Sequence, residues 1–443
     1  MLKRIFLIFA LTAGLLAQNS RPQKSEAKTD GGTIVLRGGK LLTVSHGVIE
    51  KGVIVMQNGR ITAIGGTTTS IPRDAKIIDV TGMTVYPGLI DAETRLGLTE
   101  VSADRMTDDM SEPSDEIMPH MHVSDAFHAE TALIPVARIN GITNAIVAPG
   151  PGDTLPGQDA LIQLAGRSSE EMLMVRDIAL PLNFTGRQRR NESFATAKFP
   201  QTRMGMAAQL RQAFIDAQDY EAKLTAYEKK KSADPEKAGT LPKRDLRLEA
   251  LLPYLHGQKP MVLAAEEPND LQTVLDMAKE FHLKVVLNHL SHSSEVLDKV
   301  AASGFPVIVG PIYEQPKEWE RYDAVYRLPA EMAKRGIKIA FATYDSHNAR
   351  NLPYAAGYAV GFGLPADEAL KAMTLNPAQM FGVDKDLGSL DTGKMANVVV
   401  ANGDPLDVKT DVKHVFIAGQ EILMADRQTE LRDEYWPKGV PQK

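Results

Sequence analysis

Short apolar runs open the ordered part of the chain. Residues 33–36, 40–44, 53–57, 60–64 and 76–80 are rich in Val, Ile, Leu and Thr and are separated by Gly, Asn, Asp and Pro, which predicts β-strands joined by turns. Between two of them stands Asn58-Gly59, a pair suited to a two-residue hairpin whose central positions both need φ > 0. The same texture returns at 397–401, 412–417 and 421–424. Two β-rich ends around a long middle predict that both ends meet in one small sheet unit, over 33–84 and 390–436.

The middle has a different period. Residues 84–91, 142–148, 260–265, 284–289, 306–309 and 337–343 are Val-, Ile- and Leu-rich runs, and residues 270–281, 294–303 and 328–335 carry helical spacing. Alternating strands and helices predict an α/β architecture with a parallel sheet, closed into a barrel rather than left open at this length. No glycine-rich dinucleotide fingerprint or phosphate loop follows any strand. Residues 220–244 stand apart: Glu228-Lys229-Lys230-Lys231 and then Pro235, Gly239 and Pro242 lack an apolar stripe, which predicts a solvent-facing charged helix that breaks into a loop between barrel strands. At the start, Lys3 and Arg4 precede an apolar run over 5–17. That layout predicts a signal peptide over 1–17 and a flexible tether over 18–32, hence a periplasmic or secreted protein; the run is too short to embed the chain in a membrane.

Composition then narrows the chemistry. The 443 residues hold 50 Lys+Arg against 56 Asp+Glu, a net charge of −6, with ten His and no Cys. Disulfides, thiolate metal sites and cysteine nucleophiles are excluded, so any metal must be held by His, Asp, Glu or a modified Lys. Mild acidity argues against a nucleic-acid partner.

In α/β barrels the polar residues closing each strand form the site. Here those stretches are Pro87-Gly88-Leu89-Ile90-Asp91-Ala92-Glu93-Thr94-Arg95, Val285-Val286-Leu287-Asn288-His289 and Phe341-Ala342-Thr343-Tyr344-Asp345-Ser346-His347-Asn348. With Thr374-Leu375-Asn376-Pro377-Ala378 and Leu387-Gly388-Ser389-Leu390, the sequence resembles the amidohydrolase superfamily, in particular its exported, imidazolonepropionase-like members. The resemblance implies a (β/α)8 TIM-type barrel over 85–389 with a small composite β-sandwich domain from both chain ends. It also implies hydrolysis of non-peptide carbon–nitrogen bonds, a small-molecule amide or cyclic imide-type substrate, and divalent metal.

The superfamily's metal ligands transfer only in part. Its His-x-His pair falls at Glu93 and Arg95, its fifth-strand His at Ala264, its sixth-strand His at His289 and its eighth-strand Asp at Asp345. A fourth-strand Lys or Glu has no counterpart; residues 178–184 offer only Asn183. The resemblance therefore implies Asp345 as base and His289 as metal ligand or carbonyl polariser. Glu93, His289 and Asp345 could hold one zinc or manganese ion, or none, with Arg95, Glu266 and His347 in the pocket. A guanidinium is always protonated and cannot be a ligand, so Arg95 could itself fill the metal position and pair with Glu93 or Asp345. Structural alternatives are a turn-capping Asp345 and a buried His289 bonded to backbone. His120, His122 and His128 fall in a loop able to form part of a lid, His292 falls at the rim, and His46, His256, His282 and His414 read as structural or exposed. Three functions stay open: a hydrolase with an altered metal site; a catalytically impaired barrel that binds a ligand or partner, alone, as a homo-oligomer or beside a related barrel; and a carbohydrate-binding or structural role led by the β domain.

Overall fold

The computed structural model describes residues 32–184, 199–200, 202–292 and 294–437. The expected signal peptide, and the tether apart from residue 32, lie outside the described residues.

The first sheet combines both chain ends. From the N-terminal side come β1 (Ile34–Leu42), β2 (Val48–Gln57), β3 (Arg60–Gly65), β4 (Lys76–Asp79) and β5 (Thr84–Pro87). The barrel strands follow as β6 (Leu89–Thr94), β7 (Ile142–Val147), β8 (Asp159–Gln163), β9 (Leu173–Asn183), β10 (Met261–Ala265), β11 (Val285–His289), β12 (Val307–Val309) and β13 (Ile339–Phe341). The C-terminal side returns β14 (Val398–Ala401), β15 (Val412–Ile417) and β16 (Gln420–Glu421) to the first sheet. Its order is β16-β15-β14-β5-β1-β2-β3, with β4 parallel to β1. The two ends join where β14 runs antiparallel to β5, Val398 opposite Pro87 and Ala401 opposite Thr84. Asn58 and Gly59 have φ of 51° and 76° and turn β2 into β3, the conformation that a two-residue hairpin demands. These strands form one continuous hydrogen-bonded sheet, whereas a β-sandwich would need two.

The second sheet runs in sequence order from β6 to β13. Its ends come together, because the Tyr344 amide just after β13 donates to the Glu93 carbonyl on β6 at 2.9 Å. One or more residues from every strand, among them Ile90, Ile146, Leu161, Ala179, Val262, Val286, Ile308 and Ala340, join a single buried cluster. Eight strands can contribute to one such cluster only inside a barrel. The barrel departs from a (β/α)8 pattern. β7–β8 and β8–β9 pair antiparallel, while β6–β7 and all pairs from β9 to β13 are parallel. The cause is connection length: residues 148–158 and 164–172 are too short for the helical crossover of about a dozen or more residues that parallel neighbours require.

Helices cover the parallel part, including Pro268–Glu280, Leu297–Ser303, Ala324–Lys334 and Leu352–Gly361. The charged segment forms the end of a longer helix, Arg203–Ala233, between β9 and β10. Its buried residues are Met206, Leu210, Phe214, Ala217 and Tyr220, spaced three or four apart on one face; none beyond Tyr220 is buried. After Ala233 the chain makes a 3-10 turn at Pro235–Lys237.

Candidate active site at the barrel mouth

The carboxyl end of β6 places Asp91, Glu93 and Arg95 in the interior, all buried. Alternate residues of a strand share a face, so Glu93 and Arg95 meet: Arg95 Nη2 donates to Glu93 Oε1 at 2.7 Å. The second oxygen of Glu93 accepts from Asn288 Nδ2 on β11 at 2.5 Å. Asn288 Oδ1 in turn accepts from the Tyr344 hydroxyl at 2.6 Å and from the His289 amide at 2.8 Å. A hydrogen-bonded chain thus runs from β6 across β11 to the turn after β13.

His289 and Tyr344 both adopt left-handed backbone, with φ of 65° and 56°. Such a conformation is costly for residues with a Cβ. It lets the two rings stack with centroids 4.5 Å apart. Burial lowers the His289 imidazole, which faces the charges of Glu93, Glu266, Arg95 and Glu314, so the ring is neutral at pH 7 and has one donor and one acceptor nitrogen. Burial pushes the Tyr344 phenol well above its ordinary value, keeping its proton available for Asn288.

Asp345 is used locally. Its Oδ1 accepts from the amides of His347 and Asn348 at 2.7 and 3.1 Å, and its Oδ2 from Asn348 Nδ2 at 2.9 Å. Burial raises this carboxyl, but the hydrogen bonds from Asn348 and His347 outweigh burial and hold it below the ordinary value. Asp345 is thus an ionised turn cap, partly exposed at the mouth. His347 is exposed, with Nδ1 3.1 Å from Ser346 Oγ. Glu266 closes β10, partly exposed and within the field felt by His289. Ala264 is buried and offers no ligand atom. Asn183 spends its side-chain amide on the Asp153 carbonyl at 2.9 Å.

Two deeper carboxyls complete the interior. Asp91 accepts from the Thr343 amide at 3.0 Å and from its hydroxyl at 2.5 Å; burial pushes its carboxyl up to about 7. Asp159, on β8, is 2% exposed, and its Oδ1 has no hydrogen-bond partner. Burial and then the Glu93 charge raise it well above the ordinary value, against the pull of Arg95.

Do these residues fit a metal centre? Both oxygens of Glu93 and both of Asp345 are occupied by donors, and Arg95 fills the interior beside Glu93. A divalent ion about 4 Å from a guanidinium would meet repulsion on the order of 8 kcal/mol at an effective dielectric of about 20. Among the described residues no three His, Asp or Glu side chains are grouped so as to hold a metal ion. The set does not fit. Of the residues expected as ligands, Glu93 is turned to Arg95 and Asp345 to its own turn. Arg95 pairs with Glu93 and not with the Asp345 side chain, although its amide lies 3.5 Å from the Asp345 carbonyl.

Of the loop histidines, His120 has a buried Nδ1 without a hydrogen-bond partner, and the other two pair with separate carboxylates. His122 Nδ1 lies 2.6 Å from Asp177 Oδ1, and His128 Nε2 lies 2.7 Å from Asp109 Oδ2. His292 pairs with Glu320 at 2.7 Å, largely out of solvent. Asn288, Tyr344 and Asp159 were not singled out from the sequence. Asn288 precedes His289 and Tyr344 precedes Asp345, so both lie inside the quoted strand ends; Asp159 opens β8, outside them.

Comparison with known proteins agrees with this architecture. Residues 311–422 match the Amidohydrolase family. The chain is 25% identical over 407 residues to an imidazolonepropionase of Symbiobacterium thermophilum, covering 83% of this chain and 90% of that protein. It is 25% identical over 391 residues to the amidohydrolase tasK of Hapsidospora irregularis, covering 84% of this chain but only 39% of that longer protein. Among solved structures, an amidohydrolase from Thermotoga maritima MSB8 superposes with a TM-score of 0.78 at 26% identity, over 88% of this chain and 99% of the other. The family match, the relatives and the solved structure together support an amidohydrolase superfamily member.

Proposed function

We propose that the chain is an exported barrel that binds a small amide or cyclic imide-type compound at its mouth, with binding in place of metal-assisted hydrolysis. The ligand class follows from its relatives, named for imidazolonepropionase and deaminase activities on carbon–nitrogen bonds. One observation carries the reading: Glu93 and Arg95 form a buried ion pair at the strand ends, at the positions where the resemblance implies two metal-binding imidazoles. The neutral His289 ring can hydrogen-bond a carbonyl or an amide N–H, and Glu266 can accept from an N–H at the same strand ends. Thermal-shift and calorimetric titration against a panel of hydantoins, dihydropyrimidines, imidazolones and N-acyl amines tests this. A saturable shift without turnover is the expected result; the absence of binding across the panel contradicts it.

A second reading has its own support. Asp345 is ionised, partly exposed and at the same end of the barrel as His289, so it could take a proton from water attacking a carbonyl that His289 polarises. Its lowered pKa makes it a weak base. If hydrolysis of any panel member is found, Asp345→Asn should abolish it, and unchanged turnover excludes Asp345 as base.

A further inference from the structure

We infer that Arg95 is the resident cation of this barrel: paired with Glu93, its guanidinium supplies the positive charge at the strand ends in the place of a divalent metal, and the chain folds and keeps its shape without bound transition metal. A metal centre in a barrel does two things besides chemistry. It neutralises converging carboxylates, and it ties together strands distant in sequence. Here Arg95 does the first, and its partner Glu93 does the second. Its Nη2 satisfies Glu93 Oε1 at 2.7 Å with both side chains buried. Through Glu93 the cation is linked to Asn288 on β11, and through Asn288 to Tyr344 beyond β13. Asp159 of β8, 2% exposed and with one oxygen free of any partner, lies in the field of the same guanidinium. Arg95 therefore neutralises Glu93 on β6 and acts on Asp159 of β8 through its field, while Glu93 carries the hydrogen-bonded link to β11 and the turn after β13. The closing contacts of the barrel lie at the same point: Thr94 Oγ1 donates to the Asp345 carbonyl at 2.5 Å, and the Tyr344 amide to the Glu93 carbonyl at 2.9 Å. A bound ion would have to break the Glu93 pair, leaving a guanidinium in the interior with its charge unmatched.

The test uses the full-length mature protein purified without added metal. Elemental analysis after dialysis should find substoichiometric zinc, manganese, iron and nickel, and the Tm should not change with EDTA or with added zinc or manganese. One or more equivalents surviving dialysis, or a Tm that falls on chelation, overturns the inference. A mutant cycle supplies the second readout. Glu93→Gln and Arg95→Met should each lower the Tm strongly, and the double variant should recover part of the loss, because each single change leaves one buried charge without its partner. If a single variant does not fold, recovery of folded protein in the double supports the same conclusion; simple additivity of the losses overturns it. Metal content and the cycle decide this point independently of whether the mouth binds an amide.

Discussion

Glu93 receives one N–H from a guanidinium and one from an amide, and both its oxygens are satisfied in a buried setting. Replacing it with Gln removes the charge that matches Arg95. Loss of one partner of a buried pair costs roughly 3–5 kcal/mol, and urea denaturation of Glu93→Gln should show a loss of that order. A loss below about 1 kcal/mol would be the value of a solvated pair and would mean that Arg95 reaches water. Tyr344→Phe deletes one hydroxyl and leaves Asn288 Oδ1 with only the His289 amide; the expected cost is about 1–3 kcal/mol, read by the same method. The meeting of Glu93 and Arg95 was legible as one of two pairings open to Arg95, the other being Asp345; residues two apart on a strand share a face. The third and fourth members of the chain were not, since Asn288 and Tyr344 reach Glu93 only through closure of the barrel.

At the scale of elements, β6 and β7 approach so closely that a side chain has no room at Gly88. A Cβ there would lie 2.1 Å from Thr143 Oγ1 on β7. Gly88→Ala must push the strands apart at the base of the site, with an expected cost of about 1–3 kcal/mol in a thermal or urea melt; an unchanged midpoint would show that this part of the barrel is loose. Most parallel strands were legible as apolar runs bounded by turns. β8 was not, because Asp159–Gln163 is a five-residue strand with polar residues at both ends, and no local pattern says that it runs opposite to its neighbours. Its direction is set by the short connections on either side, which a strand-and-helix reading of the chain does not weigh.

Across the whole molecule, the union of both chain ends in one sheet was legible from repeated β texture, and the β14–β5 pairing supplies the contact that texture could not locate. What no sequence pattern reveals is the electrostatic state of the interior. Burial pushes the Asp91 carboxyl up to about 7, against about 3.9 in an unfolded chain. The folded state therefore keeps a proton that the unfolded chain has released. The contribution of Asp91 to stability is full below pH about 4 and is lost as the pH rises to about 7. Urea midpoints of the parent chain should fall over this range, and Asp91→Asn should flatten the fall; an equal fall in the variant would assign the effect to other groups. The central claim, a guanidinium in the place of a metal, is tested most directly by a crystal structure of the protein grown with zinc and measured at the zinc absorption edge. The account predicts Arg95 on Glu93 and no anomalous peak within bonding distance of His289 and Asp345. A peak between those two residues, with Arg95 turned away, would contradict it.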